Sequence, residues 1–287
     1  MAETKKNDDF ETTHKLLMHC GFSGMAGQLA VLDESGELYE MSALQAVNSL
    51  VREEMNIRSD KRSQYLKSRA HLYIPQADKS DIDFDPKRKL NKPLIEQLAT
   101  NAYIRNGRSI MINAATGSGK TYFACMFGNC ACEAGYSVSY YHMSDLFLDY
   151  HSEKLKGSNI KAFIKKVSNV DLLILDDFML TSVAIDEAEF LYKVLNYKRP
   201  TGKNRSYILC SQLMREEIYI RLMESAATLA DAVMDRISHG AYQLHIDGPS
   251  MREKNVVLDE NEQKALAADS QENREEVQND GSYSSGV

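Results

Sequence analysis

The run Ser109-Ile110-Met111-Ile112-Asn113-Ala114-Ala115-Thr116-Gly117-Ser118-Gly119-Lys120-Thr121 decides how the rest of the chain is read. Its first five residues form an apolar segment of strand length, and Tyr122-Phe123-Ala124-Cys125-Met126-Phe127 after it has the character of a buried helix. Between the two, Gly117 and Gly119 let the backbone curl so that N–H groups of residues 115–121 face an anion at a helix N-terminus. Ala115, Thr116 and Ser118 complete this cradle, Lys120 is placed to reach the outer phosphates of a bound triphosphate, and the Thr121 hydroxyl is placed to bind Mg²⁺. A plain glycine-rich turn is the alternative; the strand, loop, helix order around Gly-x-Gly-Lys-Thr weighs against it. The usual loop opens on Gly, and Ala114 in that position is expected to restrict the turn and weaken binding.

Downstream, short apolar stretches at 137–141, 171–175, 207–210 and 241–246 read as strands. They are separated by helical patterns at 119–133, 143–151, 159–168, 184–198, 214–222 and 227–238. This alternation predicts an α/β fold with a mostly parallel sheet covered on both faces, and in such sheets nucleotides bind beyond the C-terminal strand ends. Polar residues stand at those ends. Asp171-Leu172-Leu173-Ile174-Leu175 closes in Asp176-Asp177, where Asp176 is expected to organise the metal's water shell and Asp177 to position or polarise the attacking water. A helix cap is the other use of two adjacent Asp residues. Tyr207-Ile208-Leu209-Cys210 closes in Ser211-Gln212, and Gln212 is preferred over Ser211 as the residue that holds the water or senses the γ-phosphate.

Two arginines follow. Arg236 ends a helical pattern whose apolar face is Leu229, Val233 and Ile237, and Arg252 follows Gly248-Pro249-Ser250-Met251. A guanidinium suits developing phosphoryl charge, whereas near a helix end it also serves as a surface residue or dipole partner.

The chain has 287 residues, 43% hydrophobic and 26% charged, which is globular composition. No run of 18 apolar residues occurs and the N-terminus is polar, so the cytoplasm is the expected location. Four of the five cysteines lie in apolar segments without Cys-x-x-Cys spacing, which reads as reduced core residues. The net charge of −7 is uneven. Residues 255–287 carry eight acids against Lys264 and Arg274, a balance of −6, which leaves −1 for the remainder. Whole-chain averaging therefore hides any basic surface.

Such surface is visible twice. Between residues 52 and 69 lie Arg52, Arg58, Lys61, Arg62, Lys67 and Arg69 against three acids, with Tyr65 and Tyr73 nearby; the stripe suits a nucleic-acid backbone and equally a solvated helix face. Residues 153–166 hold Lys154, Lys156, Lys161, Lys165 and Lys166 against Glu153, a local charge of +4 on an amphipathic pattern packed by Ile160, Phe163, Ile164 and Val167. Before these, Gly21 and Gly24 interrupt a helical pattern over residues 11–31 and predict two short helices, and Ser42 is available to cap a further one.

Taken in order, Leu172 to Phe178, Cys210 to Leu213, Leu229 to Ile237 and Gly248 to Arg252 resemble the IstB family, AAA+ ATPases that assist insertion-sequence transposition and are close to the helicase loader DnaC. The resemblance runs from about His14 to Lys254, more loosely at Met25-Ala26 and Phe84-Asp85. It implies Lys120 and Thr121 as phosphate-loop residues, Asp176 and Asp177 as metal and catalytic carboxylates, and Ser211-Gln212 as the polar sensor. It further implies Arg236 as an arginine finger acting on the neighbouring subunit's ATP and Arg252 as a second sensor. Homo-oligomeric assembly on double-stranded DNA and a partner transposase are implied as well, with the lysines of 154–166 in a DNA-contacting insertion between the second and third strands.

The expected organisation is a disordered 1–9, a helical domain 10–80 contacting DNA or partners, a linker 81–92, an AAA+ ATPase domain 93–254 and an acidic disordered tail 255–287. The expected function is a DNA-binding ATPase that assists a transposase. A helicase loader with a replicative helicase as partner, and a non-catalytic DNA-binding scaffold, stand as alternatives.

Overall fold

The computed structural model describes residues 2–199, 205–238 and 240–247, with side chains from residue 9 onward; Arg252 and the segment 255–287 lie outside them. Among the described residues five strands form one sheet: β1 (Ile110–Ala114), β2 (Val138–His142), β3 (Leu172–Asp176), β4 (Ser206–Ser211) and β5 (Tyr242–Ile246), in the order β2-β3-β4-β1-β5. Every pairing is parallel. The expected α/β architecture is therefore present, and it puts all five strand C-termini at one end of the sheet.

Strand periodicity explains the two cores. Leu173 and Leu175 point into one cluster and Leu172 and Ile174 into the other, all four fully buried, so each side chain contributes about 1.5–3 kcal/mol of transfer free energy. The first cluster is roofed by α7 (Met143–Leu155), α8 (Ile160–Ser168), α9 (Ile185–Leu195) and α10 (Arg215–Ser238), which supply Phe147, Phe163, Phe190 and Val233. The second is covered by α6 (Lys120–Glu133), with Phe123 and Phe127. The helical patterns at 214–222 and 227–238 run as α10 with a break at Ala226 (φ −154°, ψ 62°). Cys125, Cys132 and Cys210 are buried free thiols, and burial pushes the first two up to about 11 and about 12.

At the N-terminus, α1 (Ala2–His19) and α2 (Ser23–Ser35) meet at Gly21, whose φ of +76° breaks the helix. Gly24 has a different purpose. It lies inside α2, where an added Cβ would come within 2.8 Å of the Glu54 Cα, so it permits close packing on α3 (Ala43–Ala70). Glu54 is buried, and its carboxylate accepts the N–H groups of Gly24 (2.7 Å) and Met25 (3.2 Å), supplying the helix cap that Phe22 cannot. Ser42 caps α3 reciprocally with Gln45.

Three features differ from the expected organisation. α1 begins at Ala2, within the segment 1–9 expected to be disordered, because polar helix formers are no obstacle to a solvated helix. The boundary at residue 80 separates no two cores: Ala70, Leu72 and Ala77 are buried in the same cluster as Phe127 and Ile174. The stretch after Lys92 holds two helices the apolar pattern did not suggest, α4 (Lys92–Ala99) and α5 (Ala102–Arg105). Asn91, whose side chain accepts the Leu94 N–H, together with Pro93 in the first turn was the legible start signal.

Candidate nucleotide site

β1 delivers the chain into the phosphate loop, and Gly117 (φ +78°) and Gly119 (φ +102°) adopt the left-handed region that a side chain disfavours. The Ser118 hydroxyl donates to the Ala115 carbonyl at 2.6 Å, closing the turn. α6 starts at Lys120, so its positive end faces the loop's concave side. Ala114 corrects the sequence expectation: it is the last residue of β1, pairs with Ile246 and has no positive φ, so its Cβ meets no conformational demand there.

Lys120 is 6% exposed, and its ammonium donates to the carbonyls of Ala114 and Ala115, both at 3.0 Å. The neighbouring Thr121 hydroxyl donates to Asp176 Oδ2 at 2.6 Å, which joins the loop to the tip of β3. Asp176 is fully buried and also accepts the Tyr140 hydroxyl (2.7 Å) and the Asp177 N–H (2.9 Å). Burial, and then the Asp176 charge, push the Tyr140 phenol far above its usual range, so it remains a proton donor to that carboxylate.

Asp177 has φ +51°, and this turn carries its half-exposed carboxylate away from Asp176 to within 3.8 Å of His142 Nδ1. Gln212 closes the third side. Its Oε1 accepts the Thr116 hydroxyl at 2.8 Å, whereas the buried Ser211 hydroxyl donates to the Phe178 carbonyl and accepts the Leu213 N–H. The tips of β1, β3 and β4 thus converge, with the β4 residue lying between the phosphate loop and the two carboxylates, as the strand order requires.

Arg236 is not part of this cluster. It is exposed on the last turn of α10, and none of the hydrogen bonds joining the loop, Asp176, Asp177 and Gln212 involves it. The first half of α10 does reach the site's edge, where Arg221 donates to the carbonyls of Met179 (2.7 Å) and Leu180 just past Asp177. Arg58, Lys61, Arg62, Lys67 and Arg69 all lie on α3; Lys154 lies on α7, Lys156 at its end, and Lys161, Lys165 and Lys166 on α8.

Tyr140 and His142 escaped the sequence reading although the same logic would have found them: β2 ends in His142, in register with Asp176. Arg88 was hidden in the stretch read as a linker. It is 5% exposed, and its guanidinium donates to the carbonyls of Ser118 (3.0 Å) and Asp83 (2.8 Å) while lying over the Phe123 ring. An Arg88→Met substitution removes donors from two carbonyls, and unfolding by denaturant should show a loss of about 1–3 kcal/mol per orphaned group that water cannot reach.

A five-stranded parallel sheet with a phosphate loop after β1, an acidic pair after β3 and a polar tip on β4 defines an AAA+ P-loop nucleotide-binding protein. The fold is shared with the crystal structure of DnaI (TM-score 0.50, 18% identity, 60% of this chain and 91% of that one). It is shared equally with AMPPCP-bound DnaA from Aquifex aeolicus (TM-score 0.50, 22% identity, 67% of this chain and 59% of that one). Residues 15–258 match the family of IstB-like ATP binding proteins, and the chain belongs to it. An insertion sequence ATP-binding protein of Sinorhizobium fredii, y4uH, is 30% identical over 240 residues, 84% of this chain and 94% of the relative. Among the described residues no helix is long and apolar enough to cross a membrane.

Proposed function

We propose that the chain hydrolyses ATP with Mg²⁺ while assembled as a homo-oligomer on duplex DNA, and in that state helps a transposase choose its target. The observation that carries the nucleotide chemistry is the Thr121–Asp176 hydrogen bond, which places a hydroxyl and a carboxylate 2.6 Å apart beside the loop. Two hard oxygen donors fit Mg²⁺, which Thr121 and Asp176 would hold, partly through water. When bound, the ion neutralises charge on the transferring phosphoryl group.

The chain's own residues do the rest. Lys120 exchanges its two carbonyl acceptors for phosphate oxygens, and the N–H groups of residues 115–121 hold the anion at the start of α6. Asp177 orients the attacking water, Gln212 senses the terminal phosphate through its place beside Thr116, and Arg236 is offered outward to a neighbouring subunit's nucleotide. Arg252 is assigned the second sensor role on sequence resemblance. Insertion-sequence ATP-binding relatives support a transposase as partner, and the basic residues on α3 and α8 support DNA.

ATPase assays with and without duplex DNA, paired with sizing in ATP, test this reading. Hydrolysis should rise with DNA and with assembly. Co-purification with a replicative helicase instead would replace the transposase, and absence of both ATP binding and hydrolysis would reduce the chain to a DNA-binding scaffold.

A further inference from the structure

The family match stops at residue 258, and an acidic stretch starts at Asp259. From there to Asp280 the chain holds eight carboxylates against Lys264 and Arg274, a balance of −6 with no aromatic residue, a composition that favours electrostatic contact over burial. Its complement lies on the described surface. At the edge of the sheet, where β2 pairs with β3 alone, a cleft of about 730 Å³ runs between α3 and α8, lined by Arg69 and His71 on one side and Lys165 and Lys166 on the other, with Asp149 in its wall. α8 buries Phe163, Ile164 and Val167, which turns both lysines outward, and Arg69 lies over the exposed Tyr65 ring. Among the described residues Arg69, Lys165 and Lys166 form no ion pair, whereas Arg58, Lys67, Lys154 and Lys156 pair with Glu54, Glu133, Asp186 and Glu153. The cleft is thus a basic surface whose cations lack acids of their own.

The acidic stretch has the length to reach it. The last described residue, Asp247, lies just past β5, on the sheet edge opposite β2 and at the C-terminal end of the strands. Ser137, Asn169 and Val170 put the cleft at the other end. Four strand spacings of about 4.8 Å and one strand length of about 17 Å give a straight separation of about 25 Å. Residues 248–259 span up to about 40 Å when extended, and each residue after Asp259 adds about 3.3–3.6 Å, which leaves room for a path over the surface. A tethered segment stands at an effective concentration of about millimolar beside its own chain. Exposed ion pairs too weak to hold a free peptide therefore suffice for a tethered one.

We propose that the acidic segment 259–280 of this chain seats in the α3–α8 cleft as a built-in competitor, so that an outside polyanion must displace it; that the polyanion is DNA rests on the function proposed above. Docking is read without DNA. Dilute full-length protein is treated with a zero-length carbodiimide, which joins an amine to a carboxylate only where the two touch, and the joined peptides are mapped in the single-chain product. Lys165 and Lys166 should be joined to carboxylates of 259–280 at low salt and not at about 1 M salt, where screening shortens to about 3 Å. Lys154 with Asp186 and Lys156 with Glu153 serve as internal controls. The consequence is read with a labelled duplex oligonucleotide. Changing the eight carboxylates to amides should tighten binding about fivefold, the factor expected when a cleft four-fifths occupied is freed, and the gain should vanish in a Lys165→Gln/Lys166→Gln background. No join between these lysines and the segment, or joins found only between two copies, overturns the proposal. So does an equal gain in both backgrounds, which marks general charge repulsion in place of a seated segment. A chain that binds no duplex removes the DNA-binding function instead, and the cross-link map still decides the docking.

Discussion

Lys120→Ala should weaken ATP binding by about 10²–10³-fold, on the scale of ~2–5 kcal/mol for truncating one member of a buried charged contact. The ammonium sits 6% exposed at the start of α6 and donates to two carbonyls of its own loop, so it is already desolvated and oriented before phosphate arrives. The proposed exchange of neutral acceptors for anionic ones accounts for the expected loss. The substitution also leaves the Ala114 and Ala115 carbonyls facing the phosphate position with no cation between them. Calorimetric titration with ATP measures the effect; affinity within threefold of wild type would show that the loop amides alone hold the nucleotide. Any ATP-dependent assembly or DNA binding should disappear with it.

Arg236→Ala should do the opposite: ATP affinity stays near wild type while kcat falls by about 10³–10⁵-fold, the range for removing an arginine that stabilises a phosphoryl transition state. The reason is placement. Arg236 is exposed on the last turn of α10 and shares no hydrogen bond with the loop or carboxylates of its own subunit, so its loss leaves the binding contacts of Lys120 and Thr121 untouched. Mixing separates trans from cis action. An Arg236→Ala chain combined with a Lys120→Ala chain should recover part of the activity that neither has alone, because a competent nucleotide in one can meet an intact arginine from the other. Full turnover by dilute monomeric Arg236→Ala protein would remove the intersubunit site.

The centre of the sheet was legible because β3 is an unbroken apolar run: Leu172 to Leu175 has no polar residue until Asp176, so both its type and its tip could be read together. The phosphate loop and the acidic pair followed from the same rule. What stayed hidden was set by contacts far apart in the chain. Arg88 looks like one charge among many in a linker until the fold brings the Ser118 carbonyl to it. Ala114 looked like a defect because the motif is written as residue types, whereas its cost depends on a dihedral angle that proves to be that of a strand. The basic stripe of α3 could not be divided by composition into paired and open residues, since Glu133 and the Gly135 carbonyl, which engage Lys67 and Arg62, come from the far end of α6. The packing of the end of α3 and the segment after it onto α6 was equally beyond a window-by-window reading, because Leu72 finds its contact at Gly128.

The interruption at Ala226 gives α10 two separate allegiances. Its first half grips the turn behind Asp177 through Arg221, and its second half holds Arg236 out toward solvent. In an assembly where that arginine serves the adjoining copy, one helix is the back wall of its own reaction chamber and the key to the next. The chambers are then wired in series, with an elbow at Ala226 as the joint through which each one hears from its neighbour.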